Sequence, residues 1–236
     1  MRNRLETIFS IDNVKSMIPL IDANIRVLMS NLETVAINGN PVDMKKYFTA
    51  LNLDVISNCI FGTEINALQN VNEEFVKYTK KIFSRNEALL KVINMFLPTL
   101  SAIDSNVWNP LFSYIEQIVK HRIKSDVKRL DLLQLLLDCV SNGNQKANIV
   151  TNVADQLMLL LVEGFETTTT ALSVAAYCLA YYSDFQEKVV EEIDEKDDGS
   201  TDDYKTVNRL NYLNAFVCEV LRMYPTVPRF VIYAFL

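Results

Sequence analysis

The sequence predicts an all-α protein, and three observations carry that prediction. Apolar residues recur at i, i+3, i+4 and i+7 in long runs. Only five glycines and six prolines punctuate 236 residues, and no proline stands between Pro110 and Pro225. Half of the residues are hydrophobic and 10% aromatic, enough for a sizeable core. No internal repeat or low-complexity tract divides the chain, and 236 residues are enough for one large domain or two small ones.

Residues 12–37 read as an amphipathic helix, ended by NGNP at 38–41. A second helix is expected from about Val42 to Gly62. A third spans NEEFVKYTKKIFSRNEALLKVINMFLP and stops by Pro98; its tail, INMFLPTL at 93–100, is an apolar patch. A fourth begins after Pro110 and runs through His121 towards Lys128. DLLQLLLDCV is a short apolar helix and SNGNQKAN a loop. Asn152, with Asp155 three residues on, resembles an N-cap box. The helix it opens can run to Tyr182, about 45 Å at 1.5 Å per residue. It is apolar nearly all round, the mark of a buried helix. Ser183 and Gln186 suggest a further capping box, KDDGSTDDYK an acidic loop, and RLNYLNAFVCEVLRMY a last helix stopped by Pro225.

The net charge of −6 leaves no basic stripe for nucleic acid. Cys59, Cys139, Cys178 and Cys218 are far apart and sit in apolar runs, so four buried free thiols are expected. His121 is the only histidine, which argues against a histidine metal cage or a Ser/His/Asp triad. No signal-like segment stands at the N-terminus, and Glu163 and Glu166 interrupt the best candidate for a membrane-crossing helix.

The centre of the long helix reads VEGFETTTT. Gly164 and Thr167–Thr170 together cost about 3 kcal/mol of helix propensity, and two carboxylates add desolvation wherever they are buried. One reading is a polar face that reaches solvent: Glu163, Glu166, Thr167 and Thr170 share a side at i, i+3, i+4 and i+7. The other is a site. Glycine lets a flat ligand approach the backbone, threonine can bond back to the i−4 carbonyl, and a carboxylate beside a hydroxyl can pass protons. A second constellation, Glu219 and Arg222 in EVLRMYP, is an i, i+3 pair that on a bare helix is an ordinary solvated ion pair.

Taken in order, these segments resemble the cytochrome P450 family of haem-thiolate monooxygenases, closest to the animal microsomal type that handles drugs and steroids. EGFETT is similar to the family's central-helix motif and EVLRMYP to its Glu-x-x-Arg motif. DLLQLLLD, DVISNCIFG with INAL, and RLETIFS also fit, over nearly the whole chain to about Pro228. The resemblance implies the helical portion of that fold, a haem (heme) cofactor, an apolar small-molecule substrate and an NADPH-dependent reductase partner. It also implies an endoplasmic reticulum location on the cytoplasmic face, with the 93–100 patch touching the membrane surface. It implies that Gly164 lets the backbone approach the porphyrin, with Glu163 beside it. Glu166 and Thr167 would deliver protons for O–O cleavage, Arg2 would meet a haem propionate, and Glu219–Arg222 would be a buried structural pair.

Several features depart from the family. Glu163 stands where the family prefers Ala or Gly. No cysteine has the context of the family's haem-binding loop, which lies well downstream of Glu-x-x-Arg. The axial thiolate, the anchor and the first helices are therefore expected to be missing, and the chain to be an internal portion, inactive by itself. A non-catalytic helical binding or regulatory protein, or a fragment without function, are the alternatives.

Overall fold

The computed structural model describes residues 8–39, 41–69, 74–83, 105–125, 128–141, 148–196 and 203–226. Among the described residues the regular structure is helical: α1 (Ile11–Ile37), α2 (Met44–Ile56), a π-helical turn (Ser57–Phe61), α3 (Glu74–Phe83), α4 (Ser105–Lys124), α5 (Leu132–Ser141), α6 (Ile149–Tyr181), α7 (Ser183–Lys196), α8 (Asp203–Asn208) and α9 (Asn211–Met223). The expected all-α class is what is found. The residues form two compact units, one of 1–39 and 50–165, the other of 40–49 and 166–236.

The first unit holds the main core. Leu111, Ile115 and Val119 of α4 are fully buried at i, i+4, i+8, and Val153, Leu157 and Leu161 of α6 repeat the same spacing. Leu132, Leu133, Leu136 and Leu137 of α5 join them, with Leu53, Ile56, Ile60 and Phe61 from α2 and the π turn. Phe61 meets Phe75 of α3 edge to face, ring centres 5.5 Å apart. By length and composition α6 could cross a membrane, despite its two glutamates. Its first half instead buries its apolar stripe in protein.

Gly62 closes the π turn with φ +62°, and both its N–H and that of Thr63 bond to the Ser57 carbonyl. A buried joint surrounds it. Arg122 of α4 donates to the Phe61 carbonyl and to Asp131 Oδ1, Arg129 donates to the Gly62 carbonyl at 2.6 Å, and Asp131 Oδ1 also accepts the Gln134 N–H at the start of α5. Two residues after Asn52, buried Asp54 accepts the N–H groups of Ala67 and Leu68.

In the second unit, α7 and α9 pair through a carboxylate. Both oxygens of Glu192 accept the N–H groups of Tyr212 and Leu213, each at 2.9 Å. These lie in the first turn of α9, where helical donors have no partner of their own. Lys196, an ion partner of Glu192, donates to the Arg209 carbonyl.

Several boundaries differ from the sequence prediction. α4 starts at Ser105, not after Pro110; a proline near the helix start forfeits few hydrogen bonds. α6 starts at Ile149, a turn before the expected cap at Asn152, because Ile149 and Val150 pack on the core. The first N–H groups of α7 bond to the Tyr182 carbonyl, one residue before the box at Ser183. The acidic loop leads into α8. Cys59 and Cys178 are buried as expected, but Cys139 is half-buried and Cys218 exposed.

Candidate functional site

The long α6 helix carries Glu163, Gly164, Glu166 and Thr167 in continuous sequence. In the first unit, Glu163 is exposed and Gly164 half-buried. Among the described residues, a Cβ placed on Gly164 would meet the Ile56 Cδ1 methyl of α2 at an ordinary 3.9 Å, so the Cβ side of this glycine faces α2. Asn52 of α2 stands behind the same turn, its amide donating to the Gly164 carbonyl at 3.1 Å and the Phe165 carbonyl at 2.7 Å.

In the second unit, Glu166 is half-buried and held from two sides. Lys45 donates to its Oε1 at 3.1 Å, and the Thr170 hydroxyl, one turn on, reaches the same oxygen at 3.5 Å. Thr167 is half-buried and Thr169 fully buried. The Thr169 carbonyl accepts the Ser173 hydroxyl at 2.6 Å, a bond back to the i−4 carbonyl.

Glu219 and Arg222 pair in two parallel hydrogen bonds of 2.7 and 2.6 Å. The Arg222 guanidinium holds the Glu219 carboxyl below the ordinary carboxylate range, and the Arg222 value rises in return. The expected burial of the pair is not found: the side chains are 59% and 66% exposed, because both point away from the packed side of α9 marked by Val220. Arg2 and the 93–100 patch lie outside the described residues.

Sequence reading missed Lys45, Asn52 and Glu192. Lys45 and Asn52 lie more than 110 residues before their partners on α6, a separation that no local period reveals. Asn52 left one local signal, a poor helix former inside an otherwise apolar helical run.

The sequence profile of the family Cytochrome P450 matches residues 1–232. The chain is 33% identical over 244 residues to human cytochrome P450 3A7, covering 97% of this chain and 48% of that protein. It is 33% identical to cytochrome P450 3A6 of Oryctolagus cuniculus and 30% to cytochrome P450 3A13 of Mus musculus, each again over 97% of this chain. The chain thus spans about half the length of the curated relatives it matches. It belongs to the cytochrome P450 family, whose members are monooxygenases with a haem cofactor.

The residues present fit one face of a haem. Glycine at 164 keeps the backbone of α6 bare of a side chain, which the close approach of a flat ring requires. Cys59 does not suit a thiolate role: burial, reinforced by the charge of Asp131, pushes its thiol up to about 11.

Proposed function

We propose that this chain forms the central-helix portion, residues 1–236, of a single domain of a haem-dependent monooxygenase. The enzyme would oxidise apolar small molecules such as xenobiotics, steroids or lipids, with electrons from an NADPH reductase. The family's usual setting, the cytoplasmic face of the endoplasmic reticulum membrane, is the proposed location, with the 93–100 patch as a peripheral membrane contact. The observation that carries this reading is an acid held within the family's central-helix segment: Glu166, gripped by Lys45 and Thr170, two residues after Gly164 in the sequence.

Each residue takes a role by its chemistry. Gly164 would give the ring access to the backbone, with Glu163 beside it in sequence, and Arg2 would pair with a propionate. Glu166 takes protons from solvent and Thr167 passes them inward through its hydroxyl. Lys45 keeps the Glu166 carboxylate in place between transfers. Glu219 and Arg222 act as a structural pair. The haem, when bound, supplies the redox chemistry that activates oxygen.

Haemin titration of the purified chain, followed by absorbance, tests this reading. Saturable uptake is expected, weakened at least about tenfold by Gly164→Leu and unaffected by Glu166→Gln. No saturable uptake, or equal uptake by Gly164→Leu, would overturn it.

A further inference from the structure

Asn52 sits in the middle of TALNLDVI, where a helix built only for packing would carry leucine or alanine. It is 6% exposed, and a buried amide is costly without partners. Its Nδ2 group finds them on two successive carbonyls of α6, those of Gly164 and Phe165. In a regular helix those oxygens face the N–H groups of Thr168 and Thr169. Each carbonyl has two lone pairs, so the Asn52 amide can occupy the second acceptor site.

The place of this tie matters. Glycine has the softest backbone of any residue, and among the described residues a Cβ here would meet one methyl, Ile56 Cδ1, at 3.9 Å. The anchor end is firm, because Asp54, two residues on and near the opposite side of the same helix, is bonded to the backbone at Ala67 and Leu68. The tie therefore joins a fixed helix to the most deformable turn of α6.

We propose that Asn52 is a positioning residue. Its amide fixes the backbone at Gly164 and Phe165, the turn that precedes Glu166 and Thr167 in the chain. Their use in proton delivery rests on the reading above; the tie itself does not.

Gly-Phe occurs once in the sequence, so a chain labelled with carbonyl-13C glycine and 15N phenylalanine gives a single correlated NMR signal from Gly164. In Asn52→Leu, which keeps the volume and loses the donor, that signal is expected to move upfield. Amide exchange at Thr168 and Thr169 is expected to quicken about tenfold relative to the amides of 153–157. Asn52→Thr, which keeps one hydroxyl donor, is expected to bring both values part of the way back, and it serves where the leucine variant does not fold. A fall in melting temperature with the Gly164 signal and the threonine exchange unmoved would overturn the positioning role. Haemin titration of the same proteins separates the two proposals. A chain that takes up no haemin, but whose Gly164 signal answers to Asn52, would refute the haem reading and leave the tie standing.

Discussion

Gly62, Arg122 and two of the cysteines show how much a single residue decides here. A Cβ on Gly62 would run into the Asp131 carboxylate and the Arg122 guanidinium, and φ there is +62°. Left-handed backbone and overpacking each cost about 1–3 kcal/mol, so Gly62→Ala is expected to lower unfolding stability by about 2–5 kcal/mol in denaturant titrations. Arg122→Met strands Asp131, whose side chain is 1% exposed, and whose Oδ2 meets Arg122 as an ion pair without forming a hydrogen bond. Breaking a buried pair from one side costs about 3–5 kcal/mol, and the same titration measures it. The cysteines divide by environment. Cys218 is exposed, and Cys59 is buried with its thiol pushed up to about 11. Iodoacetamide at neutral pH is therefore expected to label Cys218 first and Cys59 last, with peptide mass spectrometry reading the order.

Among the elements, the α7–α9 pair carries the clearest pH dependence. Partial burial pushes the Glu192 carboxyl up, but the N–H groups of Tyr212 and Leu213, together with Lys196, outweigh it and leave the group below its ordinary 4.5. A carboxyl lowered in the folded state stabilises above its unfolded value and loses that contribution as pH falls through the folded one. Stability from Glu192 is thus expected at neutral pH and to fade below about 4.5. Glu192→Gln is expected to melt at lower temperature at pH 7 and to differ less from wild type as the medium becomes more acid; calorimetry at several pH values checks this. Asp54 titrates with the opposite sign. Desolvation dominates there, opposed by the Leu68 and Ala67 bonds, and raises the group above 3.8. Its contribution is present below that value and is lost as pH rises through the folded one.

Across the whole molecule, what could be read from the sequence was what repeats. Leu111, Ile115 and Val119 announce the buried side of α4, and EGFETT with EVLRMYP identifies the family. What could not be read depends on residues far apart in sequence. Lys45 on Glu166, Asn52 on Gly164 and Arg122 on the Phe61 carbonyl are made by folding, and their members carry no periodic signal. Exposure was equally illegible: an i, i+3 pair such as Glu219–Arg222 looks the same in sequence whether buried or solvated. The second unit also shows large aromatic side chains to solvent, Tyr177 and Tyr181 at 58% and 66%, stacked 5.8 Å apart. A contiguous apolar surface of this kind takes up hydrophobic probes. The isolated chain is expected to enhance the fluorescence of anilinonaphthalene sulfonate, and Tyr181→Lys to reduce that enhancement.

The π turn at Ser57–Phe61 has a consequence for how this region tolerates changes in length. A turn with i→i+5 bonding holds one residue of slack that an α-helical turn lacks. Losing one residue inside 57–61 would let the helix close into ordinary α form, whereas the same loss inside 50–56 would rotate Asn52 or Asp54 away from its partner. The turn is thus a stretch of this helix where a single codon could be dropped without turning Asn52 or Asp54 from its partner. The change would surface downstream, at Gly62, which would no longer arrive where Arg122, Arg129 and Asp131 are waiting for it.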